Sequence, residues 1–191
     1  MLKSLFYSKH MLWCCRLFFS LFYKQEYLKG KYFEEKRMGW LWAFLGLPSK
    51  ILGKHRNIPW PVGKNTLVSN GYNLLFDNSS INVFQMPGCY FQCHDAKITI
   101  GKNAQIAPNC GIITTNHNIY NPNEHIQGKD VVIGDNCWVG MNSVILPGVV
   151  LGDHTVVGAG SVVTKSYSEG YVVIAGVPAK VIHKLDKSNF I

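Results

Sequence analysis

The sequence has few acidic residues and no long uninterrupted apolar run, and both shortages restrict what it can be. Its 191 residues contain 11 Asp and Glu against 19 Lys and Arg, which gives a formal net charge of +8. The longest apolar stretch, residues 11–23, is interrupted by Arg16 and is too short for a membrane-spanning helix, which needs ~20 residues. No small-residue cleavage site follows it, so the sequence does not predict a secretory signal.

Paired cysteine motifs are also missing. The six cysteines form no CxxC pair, and a chain of this length does not read as a disulfide framework. Cys89, Cys93 and His94 resemble half of a zinc site, but no second half follows. We therefore expect reduced thiols, a cytoplasmic location and no metal.

The positive charge is concentrated at one end of the chain. Residues 1–64 carry 12 Lys and Arg against 3 Asp and Glu, whereas residues 65–191 carry 7 against 8. A nucleic-acid-binding domain would more usually spread its basic residues over the folded face. The pattern therefore predicts a basic, aromatic, helical segment over 1–58, a main domain over 59–185, a tail over 186–191 and no nucleic-acid partner.

Residues 1–47 combine this charge with 13 of the 24 aromatic residues. Pro48 and the prolines after it are expected to end any helix. Apolar residues recur before it at roughly helical spacing: Leu12, Cys15, Phe19, Phe22 and Tyr23. Aromatic rings among lysines are typical of a helix lying on anionic lipids, which would place the protein peripherally on the inner face of a membrane. The alternative is that these residues cover the end of the main domain or form a subunit contact, and both can hold at once.

A period of six residues dominates the main domain. Aliphatic residues occupy the first position of each hexad, at Ile100, Ile106, Ile112 and again at Ile133, Val139, Ile145, Leu151, Val157 and Val163. The second position is often Gly or Ala, which we expect to let the backbone turn. The fifth position is small or β-branched, and it accounts for Cys110 and Cys137 as packing residues.

This period fits short parallel strands and excludes a helix. Helical faces repeat every 3.6 residues, and Gly is too frequent here for a stable helix. Three hexads make one triangular coil, so coils should stack every 18 residues and bury their aliphatic faces against one another. Residues 62–67 are a degenerate early hexad, and irregular coils are expected over 68–97, where Ile81, Val83, Phe91 and Ile98 alternate like strand residues.

The hexads and their flanking motifs resemble the hexapeptide-repeat acyltransferases, in particular the branch that O-acetylates sugars of capsule, O-antigen or exopolysaccharide. The resemblance covers about residues 60–185 and rests on 98–109, 114–120, 131–148, 158–165 and 175–182. It implies an all-β solenoid, a left-handed parallel β-helix with a helical N-terminal appendage and one protruding loop. It also implies acetyl-CoA as co-substrate, a saccharide acceptor, which the appendage suggests is lipid-linked or polymeric, and a homotrimer.

The period breaks between Ile112 and Ile133, where a polar loop leaves the coil at Thr114-Thr115-Asn116-His117. Loops that protrude from rigid scaffolds commonly carry function. By resemblance, His117 is the general base that removes a proton from the sugar hydroxyl as it attacks the thioester. An isolated histidine at this position would otherwise be interpreted as a surface residue that stabilises a turn.

The resemblance also assigns the donor and acceptor sites. Trp138 matches a tryptophan beside the active centre, and backbone amides there would stabilise the oxyanion. Coenzyme A would contact Trp138, Gly140, Met141, Gly158, Ala159, Thr164, Lys165 and Lys180. Candidate acceptor-binding residues are Tyr90, Gln92, His94, Tyr120, Glu124 and His125.

Three alternatives stay open at the level of sequence. Relatives of the same fold acetylate small acceptors such as amino sugars, serine or antibiotics. A γ-type carbonic anhydrase would need three histidines, including a closely spaced pair, whereas His117 and His125 are eight residues apart. A non-catalytic β-helical scaffold would bind no acetyl-CoA.

Overall fold

A computed structural model describes residues 9–190. Three α-helices open the chain: α1 at Lys9–Phe19, α2 at Lys31–Glu34 and α3 at Met38–Ile51. The part of the sequence prediction that concerns residues 1–8, and Ile191 of the predicted tail, lies outside the described residues. The remainder of the described chain is built from short strands, with 3-10 helices at Gln25–Tyr27, Gly71–Asn73, Asn78–Gln85 and Lys187–Phe190.

Fourteen short strands form three sheets along the described chain. The first sheet has the order β1-β3-β6-β9-β12, the second β10-β7-β4-β2 and the third β14-β13-β11-β8-β5. All pairings are parallel except that of β13 with β14. Their bounds are β1 Leu67–Val68, β2 Leu74–Phe76, β3 Tyr90–Gln92, β4 Ile98–Ile100, β5 Gln105–Ile106, β6 Gly111–Ile113, β7 Val131–Ile133, β8 Trp138–Val139, β9 Val144–Ile145, β10 Val150–Leu151, β11 Val156–Val157, β12 Val162–Val163, β13 Val172–Gly176 and β14 Ala179–Lys184.

The strand register confirms the predicted stacking of hexads. Val139 pairs with Val157, 18 residues later, and Ile145 pairs with Val163 at the same separation. Across the break in the period, Ile106 pairs with Val139, 33 residues later. The first position of the hexad is therefore stacked in columns, and these residues are almost completely buried in the core.

The turns of the coil are not where the sequence predicted them. We expected the Gly or Ala at the second hexad position to turn the backbone, but the left-handed residue is at the fourth position. Its φ there lies between 52° and 82°, at Asn103, Asn109, Asn136, Asn142, Gly148, His154 and Gly160. Asn tolerates this conformation because its short polar side chain can bond locally.

The glycines at the second position serve a different purpose, which is the close approach of neighbouring coils. A Cβ atom on Gly134 would lie 2.8 Å from the amide nitrogen of Asp153 and 2.9 Å from the carbonyl carbon of Gly152. A Cβ atom on Gly140 would lie 2.6 Å from the amide nitrogen of Ala159. The next coil therefore leaves no room for a side chain at these corners.

The fifth hexad position is buried, and its small polar side chains bond the carbonyls of these same corners. The Ser143 hydroxyl donates to the Gly158 carbonyl at 3.0 Å, and the Ser161 hydroxyl donates to that oxygen at 2.6 Å. The Cys137 thiol lies 3.2 Å from the Gly152 carbonyl oxygen. This position is a packing site, as the sequence predicted, and it also satisfies backbone acceptors that would be costly to leave without a partner.

The first coils are irregular and aromatic. Phe91 and Ile98 lie in strands as expected, but Ile81 and Val83 lie in the 3-10 helix Asn78–Gln85, so the prediction of strand there is wrong. This helix takes the place of one side of the coil and turns Ile81, Val83 and Phe84 into the core. Alternation alone did not reveal it, because a 3-10 helix of period three can bury the same residues.

The N-terminal helices pack against these coils. Phe19, Phe33 and Trp40 are buried in the same hydrophobic cluster as the hexad residues, and the rings of Phe19 and Trp40 stack with centroids 6.0 Å apart. The expectation that Pro48 ends the helix is wrong, since α3 continues to Ile51. Burial of Leu47 beside it offsets the hydrogen bond that the proline cannot donate. The division at residue 58 stays a prediction, because residues on both sides share one core.

We predict opposite effects for two glycine substitutions in the solenoid. Gly134→Ala should lower the free energy of unfolding by about 1–3 kcal/mol, because the methyl group would collide with the next coil. Gly111→Ala is the control, because its nearest neighbour would be the Val144 side chain at 3.7 Å and its φ is not positive. This control should leave stability unchanged or raise it by about 0.5 kcal/mol. Urea unfolding of both variants measures the difference, and equal effects would contradict the assignment.

Candidate active site

A loop leaves the solenoid between β6 and β7, at the corner between the first and second sheets. It contains residues 114–130 and accounts for the longer register step at this coil. Strands on both sides of the loop remain paired in register, since Ile100 is opposite Ile133 and Ile112 is opposite Ile145. The loop is therefore an addition to an otherwise continuous coil.

Gln92, on β3 of the coil below, holds the start of the loop. Its side-chain oxygen accepts hydrogen bonds from the amides of Thr114 and Thr115, each at 3.0 Å. Its side-chain nitrogen donates to the Thr115 carbonyl at 3.2 Å. The Thr114 hydroxyl adds a bond of 2.9 Å to the Gln92 carbonyl. Gln92 was a candidate for acceptor binding, and the structure gives it these bonds to the loop backbone.

Two carboxylates hold the end of the loop against its start. Asp95 accepts a hydrogen bond from the Thr115 hydroxyl and another, at 3.0 Å, from the amide of Gly128. These two donors hold the pKa of the Asp95 carboxyl below its usual value. Asp130 accepts a bond of 2.8 Å from the amide of Lys97. The two ends of the loop are thus tied to the same coil.

His117 lies just above this base with its ring exposed to solvent. Its Nδ1 atom is 2.7 Å from the carbonyl oxygen of Pro122. A carbonyl can only accept, so Nδ1 carries the proton and a neutral ring has its lone pair on Nε2. The ring of His125 packs beside it, with centroids 4.3 Å apart and an interplanar angle of 37°.

Glu124 stabilises the interior of the loop. Its carboxylate accepts hydrogen bonds from the side-chain amides of Asn121 at 2.8 Å and Asn118 at 3.2 Å. The Asn118 amide nitrogen also donates to the Glu124 carbonyl at 2.8 Å. Both carboxylate oxygens therefore have partners within the loop, which sets the position of the strand-like pair that carries His117 and His125.

The remaining acceptor candidates lie on the surface around the loop. Tyr120 is 91% exposed at the outer part of the loop, Tyr90 is partly exposed on β3, and His94 is exposed beside Asp95. The structure thus brings Tyr90, Gln92, His94, Tyr120, Glu124 and His125 to one corner of the solenoid, on the loop or on the coil that holds it.

Trp138 lies on a different sheet from the one that leads into the His117 loop. It is on β8 in the third sheet, between Gln105 and Val156, and 56% of it is exposed. The loop departs from the first sheet, so the topology of one chain does not bring Trp138 and His117 together.

The predicted coenzyme residues are mostly exposed and follow one another up the coils above Trp138. Met141 and Ala159 are exposed at the corner after β8 and β11, Thr164 and Lys165 follow β12, and Lys180 is on β14. Gly140 and Gly158 are fully explained by coil packing, because a Cβ atom on Gly158 would lie 2.9 Å from Cβ of Ala175. These two glycines therefore carry no independent evidence of a ligand.

Sequence reasoning did not identify the residues that hold the histidine in place. Pro122 acts through its backbone carbonyl, which leaves no side-chain signal. Asp95 and Asp130 act on backbone amides 33 residues away, and only the coil register brings these atoms together. Within residues 9–190, no group of three or more His, Cys, Asp and Glu side chains is arranged to hold a metal ion.

Comparisons with known proteins agree with this architecture. The family model described as bacterial transferase hexapeptide (six repeats) matches residues 130–165. A Dictyostelium discoideum protein with a provisional acetyltransferase name is 58% identical over 92 residues, which cover 46% of this chain and 47% of that protein. The galactoside O-acetyltransferase of Escherichia coli is 42% identical over 95 residues, which cover 48% of this chain and 46% of that one.

Among solved structures, a maltose O-acetyltransferase from Clostridium difficile matches with a TM-score of 0.55 and 37% identity over 65% of this chain and 66% of the other. The chain spans about half the length of the curated relatives it matches. The matched part contains the hexads, the parallel sheets and the loop. With its columns of parallel strands and its six-residue period, the chain belongs to the hexapeptide-repeat transferases and folds as a left-handed parallel β-helix with a helical N-terminal segment.

Proposed function

We propose that the protein transfers an acetyl group from acetyl-CoA to a hydroxyl group of a saccharide. The observation that carries the proposal is the hydrogen bond of 2.7 Å between His117 Nδ1 and the Pro122 carbonyl, at the start of a loop that protrudes from the solenoid. Support comes from relatives named galactoside and maltose O-acetyltransferases. A relative named for lipopolysaccharide biosynthesis supports a polymeric or lipid-linked acceptor.

The histidine geometry suits general base catalysis. With Nδ1 donating to Pro122, the Nε2 lone pair accepts the proton of the sugar hydroxyl as its oxygen attacks the thioester carbonyl. The Pro122 carbonyl then faces the N–H of a cationic ring and stabilises it. When the tetrahedral intermediate collapses, the C–S bond breaks and Nε2–H protonates the departing thiolate. Catalysis of this kind contributes ~100- to 10,000-fold.

Direct transfer is favoured over an acyl-enzyme intermediate. The four cysteines in the solenoid, Cys89, Cys93, Cys110 and Cys137, are at most 1% exposed. Burial raises the pKa of Cys137 to about 11, which keeps its thiol protonated at neutral pH. The other two cysteines lie in α1, far along the sequence from the loop. No described cysteine is therefore suited to attack the thioester.

The separation of Trp138 from the loop supports an active site shared between subunits. In a closed trimer, the third sheet of one subunit would face the His117 corner of its neighbour, with coenzyme A in the groove between them. Trp138 and the exposed residues above it would then contact the coenzyme, and Lys165 and Lys180 would approach its phosphates. Threefold association thus brings the donor and acceptor halves together.

Replacement of His117 tests the role of the base. His117→Ala should lower kcat at least about a hundredfold, because no other group at Nε2 would accept the proton. The thermal shift caused by acetyl-CoA should remain, since the donor site is elsewhere. Asn123→Ala is the matched control in the same loop and should retain activity. Near-normal turnover of His117→Ala would refute the assignment, and loss of the thermal shift would indicate a folding defect instead.

Mixing two inactive variants tests the shared site. Subunits carrying His117→Ala and subunits carrying Trp138→Ala are each expected to be nearly inactive as pure oligomers. In randomly mixed trimers, about a quarter of the interfaces would combine an intact His117 with an intact Trp138. Co-expression followed by an assay of the mixed oligomer should therefore restore about a quarter of the activity. No restoration would show that both residues act within one chain.

The base of the loop provides a test of positioning. Asp95→Ala removes the acceptor for the Thr115 hydroxyl and the Gly128 amide, so kcat should fall about tenfold as the loop loses its fixed geometry. Hydrogen exchange of 114–130 should become faster, and Asp95→Asn should recover part of both properties. Lys97→Ala, which leaves the backbone bond to Asp130 intact, is the control. Unchanged exchange in Asp95→Ala would contradict the role of Asp95 as a positioning residue.

A further inference from the structure

The N-terminal helices have a second apolar face that the core does not use. While Phe19, Trp40 and Leu47 are buried, other large apolar side chains of the same helices are 50–85% exposed. These outward residues are Trp13, Leu17, Phe18 and Leu21 in and after α1, and Met38, Leu41, Phe44, Leu45, Ile51 and Leu52 in and after α3. We call them the outer helical face. A contiguous apolar surface of this kind marks an interaction site.

The outer helical face is held rigidly by the packing beneath it. The Trp40 indole nitrogen donates to the Phe33 carbonyl at 2.9 Å, and the Tyr23 hydroxyl donates to the Ala43 carbonyl at 3.0 Å. Aromatic contacts continue from Tyr27 through Trp60 to Phe84 in the first coils. The helices therefore cannot turn their exposed face inward without giving up buried contacts.

Two apolar hollows open on this face. One has a volume of about 480 Å³ and lies between α1 and α3, with Leu12, Phe19, Leu41 and Phe44 among its lining residues. The other has a volume of about 490 Å³ and runs along the end of α3 between Phe44 and Leu52. Their walls are almost entirely hydrocarbon, which suits flexible apolar chains and offers little to a polar ligand.

Basic residues border the same face. A third hollow combines Leu21, Phe22 and Ile51 with Lys50 and Arg56, and Lys24 lines the adjoining surface. Lys50 donates to the Ile58 carbonyl at 2.6 Å, and burial lowers the pKa of its ammonium group. Residues 9–25 and 36–76 contain no Asp or Glu. Apolar side chains are thus edged by cations, with no acidic residue on either helix.

We propose that the outer helical face binds the headgroup and acyl region of an anionic lipid bilayer. The apolar side chains would enter the acyl boundary, the hollows would receive acyl chains, and Lys24 and Arg56 would meet lipid phosphates. A second copy of the chain is a poorer occupant, because a twofold contact through this face would place like charges opposite each other. The proposal is independent of the transfer reaction and would bring the catalytic loop to a lipid-linked acceptor.

The experiment measures binding of the full chain to vesicles by flotation. Removing residues 1–47 would also remove Phe33 and Trp40 from the core, so point substitutions are the sharper test. Wild-type protein should bind phosphatidylglycerol vesicles, bind phosphatidylcholine vesicles more weakly, and detach as salt rises. The double substitution Phe18→Glu and Leu45→Glu should weaken binding about tenfold or more. Ile182→Glu, at a residue that is 66% exposed on β14, is the matched control and should bind normally.

The charged border and the oligomeric state supply the remaining arms. Arg56→Glu should weaken binding to phosphatidylglycerol vesicles about tenfold while leaving binding to phosphatidylcholine unchanged. Light scattering of the same variants reports their mass in solution. Failure of the wild-type chain to float with anionic vesicles would overturn the proposal. A change in mass of the double variant would also overturn it, because the face would then be a contact between subunits.

Discussion

Neighbouring coils must approach to hydrogen-bonding distance at their corners as well as along their strands, and the rest of the molecule depends on this constraint. At the corners beside Gly134, Gly140 and Gly152 there is no room for a Cβ atom. The chain must turn just beyond each of these points, which it does with a residue of positive φ two positions later. Together these two requirements set the six-residue period, and the period sets the columns of buried aliphatic side chains.

The candidate site uses this regular scaffold in a specific way. The coil supplies fixed atoms, and side chains from it reach up to hold both ends of an otherwise polar loop. Gln92 bonds the backbone at the beginning, while Asp95 and Asp130 join the beginning to the end. A single backbone carbonyl then fixes the tautomer of His117. A chemically ordinary histidine therefore acquires one defined orientation through packing and hydrogen bonds at a distance from its ring.

The sequence predicted the features that repeat and missed those that occur once. The columns at Ile133, Val139 and Ile145 could be inferred because every coil repeats the same burial requirement. The 3-10 helix containing Ile81 was missed because a single irregular side leaves no period to detect. Pro48 was expected to end α3, yet local propensity yielded to tertiary burial of Leu47.

The same distinction applies to the candidate site. His117 could be singled out because it lies where the period breaks, and family resemblance gave it a chemical role. The carbonyl of Pro122 and the carboxylate of Asp95 could not be found in this way, because their contacts exist only after the coil register is set. Trp138 was predicted to lie near the active centre, and its place on another sheet shows why one chain alone does not describe that centre.

The register across the loop has a consequence for how such a protein can change over time. Strand partners are 33 residues apart where the loop intervenes and 18 apart on the next coil, yet the columns continue without a shift. The loop can therefore gain, lose or exchange residues between its anchored ends with no repacking of the coil. Recognition of the acceptor can diverge among descendants of one ancestor while the surface built by the later coils is inherited unchanged.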